Sequence, residues 1–218
     1  MTKSERIKRF YKKLYEHYGP QDWWPGDSPL ECVLGAILTQ NTSWKNVEKA
    51  IQNLKSLNLI SIDKLKLLTT DELAHLIRSS GYFNQKALKI KNFVKFITEN
   101  YSGSLHNMFD EDIHALRDKL LRIKGIGPET ADCIILYGGS KPIFVIDTYT
   151  YRVLWRHGLV PEQTSYNEMQ ELFMDSLEND PVIYNEYHAL LVKVGKERCK
   201  KRNPLCAGCP LEKDPHTV

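Results

Sequence analysis

Apolar residues recur every three to four positions along almost the whole chain, and this spacing restricts the fold more than any other feature of the sequence. Val47, Ile51 and Leu54, for example, fall on one face of a helix. We find no pair of segments with the alternation of apolar and polar residues that a β-hairpin needs. The sequence therefore predicts an all-α protein. Besides a helix at the N-terminus, helices are expected near residues 29–38, 43–54, 71–79, 84–99, 110–121, 128–137, 146–157, 166–177 and 182–197.

Start and stop signals support these ranges. Ser28 and Glu31 have the spacing of a capping box around Pro29, which stands at the favoured first helical position. Ser43 is the expected N-cap of the next helix. The connections are short, and YGGSKP at 137–142 is the best candidate for a boundary because its glycines and proline interrupt the helical pattern.

Composition and charge give few functional clues by themselves. The 218 residues, 42% of them hydrophobic, suffice for one substantial core or two small ones. A net charge of +3 indicates little about nucleic acid, although two segments concentrate basic residues. Each is either a solvated face or a track for phosphates, and both interpretations stay open. The segments comprise Lys3, Arg6, Lys8, Arg9, Lys12 and Lys13 in the first helix and Lys196, Arg198, Lys200, Lys201 and Arg202 near the end.

The expected compartment decides how the cysteines are interpreted. No apolar run approaches the roughly 20 residues of a membrane span, and the N-terminal segment is too polar for a secretory signal, so we expect a cytoplasmic monomer without a membrane partner. Cys32 and Cys133 lie in apolar helical stretches and are expected to be buried. Cys199, Cys206 and Cys209 lie close together, and the odd total favours a metal site over disulfides.

The turn IKGIG, residues 123–127, has the features of a phosphate-binding loop. Gly125 and Gly127 permit positive φ, and the isoleucines beside them can anchor the turn in the core. A proline then opens the next helix. The backbone amides of Ile126, Gly127 and the first helical turn are expected to point outward, where such groups bind phosphate oxygens, and Lys124 adds a positive charge.

The segment LLRIKGIGPETADCII at 120–135, followed by IDTYTYRV at 146–153, resembles the helix-hairpin-helix DNA glycosylases of the endonuclease III superfamily. The resemblance extends over nearly the whole chain. It implies a two-lobed all-α fold in which residues 23–137 form a six-helix lobe ending in the hairpin, while residues 1–22 join 138–218 in a second helical lobe with a Cys-rich loop. It also implies double-stranded DNA with a damaged base as the partner, the base being extruded into a cleft that holds the catalytic residue.

The same resemblance assigns roles to single residues. Asp147 stands eighteen positions after Glu129, where these enzymes place the catalytic carboxylate, although an aspartate near a helix start is usually only a cap. An anion beside the sugar would stabilise the oxocarbenium-like transition state. Gln40 in LTQNT matches the residue that wedges into the gap left by the flipped base, but by composition alone it could be a buried amide. Tyr82 in GYFNQKA matches the loop that fills the gap in the opposite strand. The other expected DNA-binding residues are Lys124, Gly125, Ile126, Gly127 and Thr130.

Glu129 departs from the pattern of the strand-cutting members, which use a lysine there to form a Schiff base. The stretch DWWPGDSPLECVLGAILTQNTSW instead resembles the 3-methyladenine DNA glycosylase branch, whose pocket holds the base between aromatic rings and keeps a glutamate at the hairpin helix. N3-alkylated adenine is cationic in DNA, and aromatic faces attract cations. The expected pocket residues are Trp23, Trp24, Pro25, Trp44 and Glu129, although an isolated tryptophan pair usually only packs a helix entry.

The C-terminal cysteines match the first three ligands of the [4Fe–4S] loop found in endonuclease III relatives. The family's fourth cysteine would fall at Pro215, and His216 follows it. The resemblance thus implies a [4Fe–4S] cluster held by Cys199, Cys206, Cys209 and His216. A cluster with an exogenous fourth ligand, a zinc ion on three cysteines and a histidine, and a site without metal remain alternatives.

The function expected from these features is monofunctional excision of alkylated purines, chiefly 3-methyladenine. One alternative is an endonuclease III-like oxidised-pyrimidine glycosylase with AP lyase activity, against which Glu129 weighs. The other is a non-catalytic helix-hairpin-helix DNA-binding protein, which would have no use for Asp147.

Overall fold

A computed structural model describes residues 1–24 and 26–217. Within these residues it contains twelve α-helices and no β-strand, which confirms the all-α prediction, and none of the helices is both long and apolar enough to cross a membrane. The chain divides into two compact units, one formed by residues 1–24 and 141–218 and the other by residues 25–140. The helices are α1 (Lys3–Tyr18), α2 (Pro29–Leu38), α3 (Trp44–Ser56), α4 (Ile62–Leu67), α5 (Thr70–Leu76), α6 (Phe83–Tyr101), α7 (Leu105–Phe109), α8 (Ile113–Leu121), α9 (Pro128–Cys133), α10 (Thr148–Arg156), α11 (Tyr166–Met174) and α12 (Pro181–Glu197).

The unit of residues 25–140 is built around α2. Residues 30–38 are all buried, as expected for a helix that is largely apolar on every side. α3, α6 and α9 pack against α2, and so does the π-helical turn Ile134–Gly138 that continues α9. This core fixes the end of α2, which Gln40 follows by two positions, and it also fixes α9, which follows the turn of residues 123–127.

The unit of residues 1–24 and 141–218 combines α1 with α10, α11 and α12. Phe144 stacks on Phe173 with ring centroids 3.9 Å apart, and the rings of Tyr184 and Tyr187 meet Phe144 edge-on. The Tyr187 hydroxyl donates a hydrogen bond to the Ile7 carbonyl (2.9 Å), which ties α12 to α1.

A buried ionic network around Asp214 closes the same unit. Arg6 and Arg9 of α1 both bind the Asp214 carboxylate, and His157 Nδ1 lies 3.0 Å from Asp214 Oδ2. Arg6 also donates to the His157 carbonyl (2.6 Å). The network therefore joins α1, the residue after α10 and the last residues of the chain.

The helix count differs from the predicted six between residues 23 and 137, because α2 to α9 make eight helices in the described part of this range. α4 and α7 have six and five residues, which is too short for a periodic pattern to show. The helix predicted at 110–121 begins only at Ile113, where Asp112 caps it by accepting two backbone hydrogen bonds of 3.0 Å.

The predicted capping box of α2 forms only in part. The Ser28 hydroxyl accepts a hydrogen bond from the Glu31 amide (3.3 Å), as expected. The Glu31 carboxylate instead accepts from the Asp27 amide (3.2 Å) and pairs with the Lys55 ammonium (2.7 Å). Since Glu31 is buried, this ion pair decides where its side chain points, and the local capping preference does not.

Candidate functional site

The hairpin turn, residues 123–127, connects α8 to α9. Ile123 and Ile126 are buried, which confirms their anchoring role, and Gly125 has a φ of +98°. One expectation was wrong: the Ile126 amide donates to the Ile123 carbonyl (3.0 Å), so it is not available to a phosphate. Gly127 has a φ of −100°, so the turn uses a positive φ at Gly125 and not at Gly127.

α6 supports the hairpin turn from one side. Asn92 Nδ2 donates to the Lys124 carbonyl (3.0 Å). The aliphatic part of Lys89 packs on Gly125 so closely that a Cβ at this glycine would lie 2.5 Å from Lys89 Cγ. The positive φ therefore favours glycine at 125, and a side chain there would also have to displace Lys89.

Gln40 is bound to the hairpin in the free protein. Its amide nitrogen donates to Thr130 Oγ1 (2.8 Å) and to the Gly125 carbonyl (3.3 Å), and its oxygen accepts a hydrogen bond from the Lys89 ammonium. The structure thus brings together three residues that the sequence assigned to DNA binding, Gln40, Gly125 and Thr130. The alternative of a merely buried amide does not apply, because Gln40 is half-exposed.

Tyr82 protrudes from the same unit. Its side chain is 68% exposed, and its backbone is left-handed with a φ of 46° at the N-cap of α6. Lys86, one turn further along α6, is buried, and its ammonium donates to the carbonyls of Leu38 (2.9 Å) and Ser80 (2.6 Å). Burial lowers the pKa of Lys86 to about 8, and the charge on Lys89 acts in the same direction.

Trp44 lines an open pocket in the unit of residues 25–140. The pocket has three carboxylates and one ammonium, so its lining carries an excess of two negative charges. Lys55 sits between two of the carboxylates, 2.7 Å from Asp27 Oδ2 and 2.7 Å from Glu31 Oε1. The pocket is lined by Asp27, Glu31, Trp44, Glu48, Ile51, Gln52 and Lys55. Glu129 does not line this pocket and lies exposed in the first turn of α9.

Asp147 is the N-cap of α10, in the unit of residues 1–24 and 141–218. Its Oδ1 accepts a hydrogen bond from the Thr150 amide (2.7 Å), and its Oδ2 lies 3.8 Å from Nε2 of His188 on α12. Burial lowers the pKa of His188 despite the opposing effect of the Asp147 charge, so the imidazole is neutral at pH 7. Only one oxygen of the carboxylate is committed to the cap.

In the same unit, the Lys196 ammonium lies near two aromatic rings. The rings of Trp23 and Trp24 meet at 84° with centroids 5.8 Å apart. The Lys196 ammonium lies 5.8 Å from the Trp23 ring and 5.9 Å from the Tyr149 ring, within the range of cation–π attraction. Lys196, predicted only as part of a basic segment, thus contacts a tryptophan predicted for the base pocket. Pro25, predicted for the same pocket, lies outside the described residues.

The three C-terminal cysteines and His216 line one cavity. Burial raises the pKa of Cys209, and Cys199 and Cys206 are near enough to act in the same direction. Among the residues that the structure describes, no three His, Cys, Asp or Glu side chains are close enough to hold a single ion.

α10 holds the loop that carries these cysteines. Arg152 donates to the carbonyls of Gly195 (2.9 Å) and Cys199 (2.6 Å). Arg156 donates to Cys199 Sγ (3.3 Å) and to the Lys200 carbonyl (2.7 Å). His216 Nδ1 bonds to the Asp214 carbonyl (2.8 Å), which places the proton on Nδ1 and leaves the Nε2 lone pair for a metal.

Sequence reasoning missed four residues of these sites: Lys86, Lys89, Asn92 and His188. The first three repeat every three positions on α6, but the same spacing is typical of a solvated lysine face. His188 lies in an apolar stretch where a histidine has no distinguishing signal. Their roles follow from partners distant in sequence, which no local pattern contains.

Comparison with known proteins identifies the family. Residues 34–179 match the model described as HhH-GPD superfamily base excision DNA repair protein. The chain is 47% identical to the putative DNA repair glycosylase MJ1434 of Methanocaldococcus jannaschii, over 97% of this chain and 96% of that protein. The protein therefore belongs to the HhH-GPD superfamily of base excision DNA repair proteins.

Solved structures agree with this assignment. A 3-methyladenine DNA glycosylase of H. pylori bound to 1,N6-ethenoadenine is 29% identical, with a TM-score of 0.77 over 90% of this chain and 98% of that one. A non-covalent endonuclease III–DNA complex has a TM-score of 0.83 over 99% of this chain and 96% of that one, and its 21% identity shows the fold alone. The predicted superfamily and fold are confirmed, and the chain is a DNA-binding glycosylase of base excision repair.

Proposed function

We propose that this glycosylase releases alkylated purines, chiefly 3-methyladenine, from double-stranded DNA by hydrolysis and without cutting the strand. The observation that carries the proposal is Glu129, which stands in the first turn of α9 directly after the hairpin turn. Strand-cutting relatives, by the resemblance, place their Schiff-base lysine there, and a carboxylate cannot form an imine. Water is then the nucleophile.

The pocket around Trp44 supports a cationic base. An adenine alkylated at N3 carries a positive charge while it is attached to the sugar, and an aromatic face attracts such a charge by about 0.5 to 2 kcal/mol. The excess of two negative charges in the lining of this pocket adds to the attraction. A neutral oxidised pyrimidine would gain neither contribution. Trp23 and Trp24 are assigned to the same base by the resemblance.

Asp147 is the proposed catalytic residue. When the glycosidic bond breaks, its electrons leave with the alkylated base, which departs neutral, and the sugar becomes an oxocarbenium ion. Asp147 Oδ2, which is not used by the helix cap, stabilises that cation and orients the water that adds to C1′. The same carboxylate then accepts the proton that this water loses and passes it to solvent. The base is already a good leaving group, so one carboxylate suffices.

The hairpin side of the protein is proposed to hold the DNA. Phosphate oxygens would accept hydrogen bonds from the amides of Gly127 and Thr130 and from the exposed ammonium of Lys124. The Ile126 amide is not among these donors, because it already binds the Ile123 carbonyl. Gln40 enters the gap left by the extruded base, and Tyr82 fills the gap in the opposite strand. Gln40 has to leave its hydrogen bonds to the hairpin when it does so.

One solved relative supports a purine substrate. The H. pylori protein, which is named for 3-methyladenine, was bound to 1,N6-ethenoadenine, a modified purine. Its 98% coverage means that this chain resembles essentially the whole of that enzyme.

The C-terminal loop is proposed to hold a [4Fe–4S] cluster through Cys199, Cys206, Cys209 and the Nε2 of His216. Three thiols and one imidazole around one cavity fit this group, since histidine can replace a cysteine ligand. Bound there, the cluster would have a structural role and fix the loop. Arg152 and Arg156 position the backbone of that loop, and the exposed Lys200 and Lys201 face solvent for contact with phosphates.

The test is incubation with duplex DNA carrying methylated purines. Free bases are quantified, and strand breaks are counted separately before any alkali. Release of 3-methyladenine without breaks is expected. Breaks at oxidised pyrimidines without methylpurine release would support the endonuclease III-like alternative, and DNA binding without release of any base would support a non-catalytic protein.

Borohydride trapping sharpens the test. Borohydride reduces a Schiff base to a stable protein–DNA adduct, so the native protein should give none on abasic DNA. The Glu129→Lys variant restores an amine at the position used by strand-cutting relatives and should give an adduct, whereas Glu129→Gln should not. An adduct with the native protein would contradict the monofunctional proposal and require another amine.

A further inference from the structure

Lys86 is an unusual lysine because its side chain is buried, with only 2% of the residue exposed. Lysine is almost never fully buried unless it has partners. The partners here are two backbone carbonyls, at Leu38 (2.9 Å) and Ser80 (2.6 Å), which lie far apart in sequence. One ammonium therefore bridges two separate segments of the unit formed by residues 25–140.

Both carbonyls stand at the end of a helical element. Leu38 is the last residue of α2, and Ser80 is the last residue of the short 3₁₀ helix Arg78–Ser80. Carbonyls at such ends have no partner within their own helix. Lys86 satisfies two of them at once and holds the ends of both elements next to α6.

The two segments lead directly to the residues proposed to enter DNA. Gln40 follows Leu38 by two positions, and Tyr82 follows Ser80 by two positions. Two residues span at most about 7 Å of chain, so each of these side chains starts close to a carbonyl held by the same ammonium.

The placement of the charge is otherwise unfavourable. Lys86 lies near the N-terminus of α6, where the helix dipole disfavours a cation, and Lys89 on the same face adds a like charge. An apolar side chain of similar length would fill the same space without these costs, but it would leave both carbonyls without a donor.

We propose that Lys86 is a positioning residue that couples the two DNA-penetrating segments, so that Gln40 and Tyr82 enter the duplex as one unit. This inference rests on the proposed roles of Gln40 and Tyr82. Lys86 itself touches neither DNA nor the reacting atoms. It fixes the distance between the carbonyls of Leu38 and Ser80. A movement of the segment that leads to Gln40 is thereby transmitted to the segment that leads to Tyr82.

The test is a double-mutant cycle of Gln40→Ala and Tyr82→Ala, read as the Kd for a duplex with a stable abasic-site analogue. With Lys86 present, the fold loss of affinity in the double variant should be smaller, by a factor of about three or more, than the product of the fold losses in the two single variants. In the Lys86→Met background, the fold loss of affinity in the double variant should equal the product of the two single losses to within about twofold. A structural role of Lys86 alone would lower stability but leave the coupling intact.

Lys91 provides a matched control on the same helix. Its ammonium also donates to backbone carbonyls at a helix end, those of Leu65 (3.0 Å), Lys66 (2.9 Å) and Leu68 (2.5 Å), but at a loop that leads to neither penetrating residue. Lys91→Met should therefore leave the coupling between Gln40 and Tyr82 unchanged.

The outcomes separate the inference from the function on which it rests. If Gln40→Ala and Tyr82→Ala cause no loss of affinity, their proposed roles fail and the inference fails with them. If both cause losses but the coupling persists in Lys86→Met, or disappears equally in Lys91→Met, only the inference is overturned.

A second measurement avoids Lys86→Met, should that variant not fold. Hydrogen exchange of the otherwise native chain is followed with and without the abasic duplex. Gln40→Ala should reduce the DNA-induced protection of residues 80–83, although the substitution lies elsewhere, and should leave residues 65–68 unaffected. Unchanged protection of residues 80–83 would overturn the proposal.

Discussion

Asp147 combines a structural and a proposed chemical role in one carboxylate. Oδ1 caps α10, while Oδ2 faces the buried imidazole of His188. Because His188 is neutral at pH 7, it does not neutralise the aspartate. The cap holds the carboxylate in a fixed position, as the proposed mechanism requires.

Asp147→Asn separates these roles. Asparagine caps helices as well as aspartate, so folding and DNA affinity should be retained. Excision should fall by about 10²-fold or more, because the charge that stabilises the sugar cation is lost. Single-turnover release of 3-methyladenine and the Kd for abasic DNA are the two measurements. Undiminished release would show that Asp147 is not the catalyst.

Trp44 is expected to act on the base and not on the backbone of the DNA. Trp44→Ala should lower excision of methylated purines by about tenfold, the scale of a cation–π contact, while binding to abasic DNA changes little. Trp44→Phe keeps an aromatic face and should retain most of the activity. An equal loss in both assays would refute a base-stacking role.

At the scale of elements, α6 carries three side chains that support residues proposed to contact DNA. Lys86 binds the segments that precede Gln40 and Tyr82, Lys89 binds Gln40, and Asn92 binds the hairpin turn. The neutral form of Lys86 still has two N–H groups, one for each of its carbonyls. Deprotonation therefore removes an unfavourable buried charge and preserves both hydrogen bonds.

The stability of the protein should consequently depend on pH through Lys86. Its folded pKa is about 8 and its ordinary value is 10.5, so between these values the unfolded chain binds more protons than the folded one. The free energy of unfolding, relative to that of Lys86→Met, should then rise as the pH increases through this window and stay flat below it. Urea denaturation from about pH 7 to about pH 10 measures this difference. A difference that is constant over the range would contradict the lowered pKa.

The C-terminal loop makes a separate prediction. Protein purified without oxygen should contain about four irons per chain and absorb visible light. Cys209→Ser should lose most of the iron, whereas Cys32→Ala, which removes a buried cysteine outside the loop, should keep it. His216→Cys should make the iron more resistant to chelators. A colourless native protein, or iron unaffected by Cys209→Ser, would contradict the assignment.

The sequence predicted long helices well and short ones poorly. α6 and α12 have clear periodic patterns, whereas α4 and α7 contain fewer than two turns and show none. The hairpin turn was predictable from its glycines and buried isoleucines. The engagement of the Ile126 amide was not, because the turn's own hydrogen bonds depend on its exact backbone path. The partners of Gln40, Lys86 and His188 come from tertiary contacts.

At the scale of the molecule, the Asp214 network joins residues near both ends of the chain. Burial alone would raise the pKa of Asp214, but hydrogen bonds from Arg6 and His157 hold it below its ordinary value of 3.8. A carboxyl group with a depressed folded pKa stabilises the protein above its unfolded pKa, and this contribution is lost as the pH falls through the folded value.

Asp214→Asn should therefore destabilise the protein at pH 7 by about 3 kcal/mol, because two arginines lose their counter-charge at a buried site. The difference from the native protein should shrink as the pH falls below the ordinary pKa of aspartate. Asp118→Asn, at an exposed position on α8, is the matched control and should have little effect. Urea denaturation at pH 7 and at a pH below 3.8 measures the free energy of unfolding of both variants. The prediction fails if Asp214→Asn and Asp118→Asn lower this free energy equally.

The division of the chain also has a consequence for the order of its synthesis. Residues 25–140 are continuous, whereas the other unit needs residues 1–24 together with residues 141–218. Domains generally fold as units while the ribosome delivers them from the N-terminus. The hairpin can therefore fold on the ribosome before Asp214, the partner of Arg6 and Arg9 in α1, has been synthesised. Asp147 can contact His188 only after α12 has been synthesised. During translation, the chain would therefore form the element proposed to bind DNA before the carboxylate proposed to act in catalysis.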